Sequence, residues 1–171
     1  MGPIDANKLW QNFMDTVQNH YMDFAGRVPR AQYWFFILVC VGVDIVAAIL
    51  DAVVRTGLLG AVVGLALLLP MGGMTARRMQ DTGRSGQMVW IWIIATAIFQ
   101  VFALLTSLGG LLGGLAIVGL LFGLAGLISL LGLVLLVIVI ALIYFCAQPG
   151  TAGDNAYGAV PPAWTPGPGT P

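Results

Sequence analysis

Charge is what this chain has least of. Glutamate is absent, lysine and histidine occur once each, and charged residues make up 8% of 171 positions. Soluble domains carry about 25% charged residues, so this sequence lacks the polar surface needed to cover itself in water. With 59% hydrophobic residues and a mean hydropathy of +0.95, it calls for lipid instead. Seven aspartates balance seven bases, so there is no net basic excess and no nucleic-acid partner is expected. Cysteine is almost as scarce. Cys40 and Cys146 both lie in apolar runs, without Cys-x-x-Cys spacing or a nearby histidine. That excludes a disulfide framework and a cysteine metal site, and leaves each as a small packing residue. No cofactor or metal is expected. A cleaved leader is also missing from the pattern: Asp5, Lys8, Asp15 and Asp23 interrupt the first two dozen residues. The first apolar segment is therefore expected to stay in the membrane.

What the chain does have is long uncharged stretches. Before them, residues 1–24 place Leu9, Trp10, Phe13, Met14, Val17 and Tyr21 at three- and four-residue spacing, which predicts an amphipathic helix. Such a helix lies in the headgroup layer or packs on the ends of the spans; the first reading is favoured because no soluble core is available to receive it. About 20 apolar residues cross a bilayer core. Spans are accordingly predicted at 31–54, 57–74, 88–108 and 119–146 within a membrane domain of residues 25–147. Pro70 removes one backbone donor and frees a carbonyl a turn earlier, predicting a kink. Thr75 to Gln87 reads as a polar connection. Gly109, Gly110, Gly113 and Gly114 mark a bend, and residues 109–126 form another crossing, a re-entrant turn or part of the fourth span. Residues 148–171, rich in Gly and Pro, are expected to be disordered. The fold class that results is all-α: a polytopic four-helix transmembrane bundle with an N-terminal interfacial helix.

Lys8, Arg27 and Arg30 precede the first span, and Arg77, Arg78 and Arg84 lie between the second and third, while Arg55 alone occupies the other loop. The positive-inside rule then predicts an inner (plasma) membrane protein with both termini cytoplasmic.

Two polar strings stand at helix mouths, Phe24-Ala25-Gly26-Arg27-Val28-Pro29-Arg30-Ala31-Gln32-Tyr33-Trp34 and Arg77-Arg78-Met79-Gln80-Asp81-Thr82-Gly83-Arg84-Ser85-Gly86. With Pro70 and the late string from Pro149 to Gly158, they resemble the bacterial inner-membrane family called domain of unknown function 805. The resemblance joins three separated motifs in order over about residues 15 to 160, and implies a four-span plasma-membrane protein with no established activity. Three positions depart from the family pattern: Gln32 replaces an acid, Gln80 a histidine and Gln87 a tryptophan. A histidine at position 80 would suit proton transfer or metal ligation, so the role of this member cannot require that imidazole.

Arg27, Arg30, Arg77, Arg78, Asp81, Arg84 and Ser85 form the first candidate site. Asp81 is within helical reach of Arg77 or Arg78, and Ser85 or Thr82 suits the start of the third span as a cap. In one reading these residues are a polar cap that locks helix ends. In the other they bind an anionic lipid headgroup, a phosphorylated ligand or an acidic partner segment. The second group is intramembrane: Asp44, Gln100 and Asp51. Asp51 is placed to pair with Arg55, and Asp44 to face the bundle, protonated, near Gln100 or Thr96. Gly60 with Gly64, Gly109 with Gly113, Gly110 with Gly114 and Gly119 with Gly123 repeat a small-xxx-small pattern that fits packing within the chain or a homo-oligomer. No nucleophile with a base, metal set or carboxylate pair is visible, so a noncatalytic component is expected, engaging anionic lipid or a membrane protein partner. The alternative is a small transporter or channel subunit using Asp44.

Overall fold

The computed structural model describes residues 4–111 and 125–165. Among these the architecture is all-helical: α1 (Ala6–Asn19), α2 (Arg30–Val54), α3 (Leu58–Asp81), α4 (Gln87–Leu111) and α5 (Ala125–Ala147). Each of α2 to α5 contains a segment long and apolar enough to cross a membrane. The bend, extra crossing or re-entrant turn considered after Leu111 falls on 112–124, outside the described residues, as does a start of the fourth span at Gly119. Gly109 and Gly110 are still helical in α4.

Local chemistry sets the helix limits. Asp5 caps α1 by accepting from the Asn7 amide at 2.9 Å. Pro29 is extended (φ −68°, ψ 153°), so α2 starts at the next residue. At its other end Arg55 turns left-handed (φ 59°) and Gly57 follows (φ 64°), giving a tight reversal into α3. Gly83 (φ 79°) permits the turn between α3 and α4.

α3 is the axis of the molecule and packs against all four other described helices. It does not stop near Met74, as the polar composition suggests, but runs on through Arg77, Arg78 and Gln80 to Asp81. Those side chains are buried. Polarity therefore signals partners here, not a loop. Two adjacent glycines allow the close approaches: a Cβ on Gly72 would meet Ile93 of α4, and one on Gly73 would lie 2.6 Å from the Asp23 carbonyl. Pro70 leaves the Ala66 carbonyl without its helical donor. The Tyr21 hydroxyl takes that place, donating to it at 2.6 Å.

Burial is concentrated toward the end of the bundle carrying the arginines. Phe36, Cys40, Met74, Met79, Val89 and Cys146 are fully enclosed there or just beneath. Toward the opposite end, Ile45, Val46, Ile49, Val53, Ile98 and Val137 face outward. Hydrocarbon rather than water is their solvent, so packing and hydrogen bonding, not apolar burial, hold the helices to one another.

Candidate functional site

Helix ends leave carbonyls without intrahelical donors. At the arginine end, two guanidiniums and the C-terminal segment satisfy several of them. Arg78, side chain 0% exposed, donates through Nε to the Cys146 carbonyl at 3.0 Å, and through its terminal nitrogens to Gln148 O, Val28 O and the Asp81 carboxylate. Arg27, 2% exposed, donates through Nε to the other Asp81 oxygen at 2.9 Å. Its remaining donors reach the carbonyls of Thr151 (2.8 Å), Gly153 (2.9 Å) and Gly158 (3.2 Å). One carboxylate thus bridges two guanidiniums, and both forks close on backbone carbonyls. A charge is tolerated in such a dry place only when paired and hydrogen-bonded throughout.

Residues 148–158 complete the arrangement, where disorder was expected from composition over 148–171; residues 166–171 lie outside the described residues. The Thr151 amide donates to Asp81 O at 2.9 Å, and Asn155 Nδ2 donates to Gln80 O at 3.0 Å, so the segment caps the end of α3. Asn155 and Gly158 exchange backbone hydrogen bonds at 3.1 Å across a tight turn. Glycine is required at position 150 by space, since a Cβ there would collide with the Asp81 carboxylate. Gly150 thus serves close approach rather than flexibility.

The other arginines go elsewhere. Arg77 lies 3.6 Å from Asp23, not on Asp81, with its Nε buried and unpartnered. Arg84 stacks over the Phe145 ring at 4.6 Å. Arg30 is exposed and pairs with no acid among the described residues, and Ser85 is exposed. Thr82 does not cap α4; its hydroxyl donates back to Met79 O at 2.8 Å. Gln80 donates to the Phe24 carbonyl at 2.9 Å, while the Gln32 side chain donates to Asn12 Oδ1 and Asn12 Nδ2 donates to the Gln32 backbone carbonyl, tying α2 to α1.

The intramembrane group is rearranged. Asp51 forms no ion pair with Arg55 among the described residues. Its carboxylate instead accepts from the Leu59 amide (3.0 Å), the Gly60 amide (2.6 Å) and the Thr56 hydroxyl (3.0 Å). It acts as an N-cap for α3 supplied by the preceding helix, where the positive end of the helix dipole adds to the attraction. Asp44 is half-buried, one turn past Cys40 and one before Ala47 on the stripe facing the bundle, and hydrogen-bonds neither Gln100 nor Thr96. The amide of Gln100 packs against Gly64, so Gly60 and Gly64 both make room for polar groups of this same chain. Among the described residues no three His, Cys or Asp side chains come together in a metal-binding group.

Sequence reasoning missed Asp23, Thr151, Asn155 and the carbonyls of Gly153 and Gly158. The Arg27–Asp81 pair joins positions 54 apart, beyond any local periodicity. The Tyr21–Ala66 bond had a signal, the carbonyl that Pro70 sets free.

Among the described residues, four segments long and apolar enough to cross a membrane, a helix packed on α2 and α3 and a buried polar lock define a small multi-pass membrane protein. The chain belongs to the family described as protein of unknown function (DUF805), whose model matches residues 21–159. It is similar to the inner membrane protein YhaH of Escherichia coli (strain K12), 32% identical over 84 residues covering 46% of this chain and 69% of the relative. It is also similar to the inner membrane protein YhaI of the same strain, 30% identical over 81 residues with the same coverage. No solved structure matches. The protein is an inner-membrane protein.

Proposed function

We propose that this protein is a noncatalytic component of the inner membrane whose arginine end lies on the cytoplasmic side and engages anionic lipid headgroups through its outer basic side chains. The observation that carries this reading is a division among the arginines. Arg27 and Arg78 have their donors occupied by Asp81 and backbone carbonyls, and so act as structure. Arg30 stands exposed without an acid among the described residues, and the N-terminal region exposes Ile4, Trp10 and Met22. Exposed apolar and aromatic side chains next to a cation suit the interface between headgroups and acyl chains. An acidic partner segment would meet the same side chains.

The test is flotation of the purified protein with vesicles and lipid analysis of the extracted protein. Arg30→Gln is expected to weaken the preference for anionic over zwitterionic lipid by about fivefold, since one basic residue near a charged surface contributes on that order. Arg27→Gln is expected to lower stability while leaving the preference of the folded fraction unchanged. A preference that survives Arg30→Gln in full refutes the assignment. Orientation is tested with impermeant thiol reagents: Ala159→Cys should label only after the cells are opened.

The half-buried Asp44, without a hydrogen-bond partner among the described residues, favours one second reading, a transport role within an oligomer. Ion flux in liposomes that is absent, or equal for the parent protein and Asp44→Asn, removes it.

A further inference from the structure

Near the arginine end the bundle is not closed. α2 and α5 flank α3 and leave between them a cavity of about 160 Å³, bounded by Trp34 of α2, Met71 and Thr75 of α3, Trp92 of α4 and Leu142 of α5. Its lining is apolar almost throughout. The one hydroxyl contributed by α3 is already engaged, because Thr75 donates to the Met71 carbonyl at 2.7 Å. A water needs several polar partners to stay in such a space, and this one offers next to none. A whole helix, about 10 Å across, is too wide for it. A single hydrocarbon chain suits its apolar lining and small volume.

Arg30 sits three and four residues before Tyr33 and Trp34, so it lies on the same face of α2, one turn nearer the arginine end. At this end of the bundle it is the exposed arginine without an acid among the described residues. The mouth of an apolar slot and an uncompensated cation therefore share one line along α2, in the order in which a phospholipid carries its tail and its phosphate.

We propose that this cleft seats one acyl chain of an anionic phospholipid whose phosphate rests on Arg30. The inference rests on the reading that the outer basic side chains meet anionic headgroups, and adds where the lipid is held. The bound lipid fills the gap left between α2 and α5 and couples their packing to the composition of the leaflet.

The experiment uses fluorescence quenching by phospholipids brominated on their acyl chains. Two full-length variants each keep one tryptophan, Trp34 in the cleft or Trp90 on the outer surface of α4, the others being changed to Phe. In vesicles of zwitterionic lipid, a small fraction of brominated anionic lipid should quench Trp34 about fivefold more effectively than the same fraction of brominated zwitterionic lipid. Arg30→Gln should abolish the difference, and Leu142→Phe, which narrows the slot, should reduce quenching of Trp34 but not of Trp90. Equal quenching of Trp34 by the two lipids overturns the proposal. An anionic preference at Trp90 alone overturns the cleft and leaves the headgroup reading standing; no preference at either position overturns both. Where a single-tryptophan chain does not fold, lipid mass spectrometry on the detergent-extracted parent and Arg30→Gln proteins decides: an anionic phospholipid retained by the parent and lost by the variant supports the seat, and equal retention overturns it.

Discussion

An aspartate anchors each end of α3, and the two work in opposite ways. Asp51 reaches forward over a tight turn to the first amides of α3, all its partners lying within nine residues. Asp81 gathers Arg27, Arg78 and, through its backbone carbonyl, Thr151, partners spread over more than a hundred residues of chain. The first is a local cap, which the hairpin of α2 and α3 can form unaided. The second is a tertiary knot that exists only when the first motif, the end of α3 and the C-terminal segment have already met. An acid at a helix end is thus no guide to its role until its partners are known.

The sharpest way to break this comparison is to remove Asp81. Asp81→Ala leaves two buried guanidiniums without their counter-charge and is expected to cost about 3–5 kcal/mol, measured by unfolding in mild detergent. A loss no greater than that of the Asp51 variant would show that the two ends are equivalent. Next comes Arg27→Ala, which keeps Asp81 paired to Arg78 but frees the carbonyls of residues 151, 153 and 158. About 1.5–3 kcal/mol is expected for hydrogen bonds to a charged group, and limited proteolysis should cut the C-terminal segment faster while helix content is retained. Tyr21→Phe probes the middle of α3, where it orphans the Ala66 carbonyl at a cost of about 1 kcal/mol; adding Pro70→Ala, which restores the helical donor, should return part of the loss. The smallest effect belongs to Asp51→Asn. The amides of Leu59 and Gly60 should exchange faster with solvent deuterium, and cleavage of the C-terminal segment should not change.

The bundle was legible where the solvent alone decides. Uncharged stretches of span length reveal the membrane helices whatever their neighbours, and the alternation of Trp10, Phe13 and Val17 reveals α1. Legibility failed at the polar positions. Arg77, Arg78 and Gln80 look like a loop because composition registers polarity but not the groups that neutralise it. Gly150 looks like disorder because composition cannot tell a glycine needed for freedom from one needed for space. Asp51 pairs with Arg55 on paper, yet the turn at Arg55 sends the chain back so that free amides reach the carboxylate first.

By itself, then, the sequence determined the solvent, the crossing segments and the concentration of arginines at one end, because each depends on residue type summed over a window. Only the tertiary structure decided which arginines are buried, which acid they share and that the C-terminal segment is held in place. Those outcomes depend on distances between residues far apart in the chain, and a fully paired guanidinium differs from an exposed one only in what the fold brings to it.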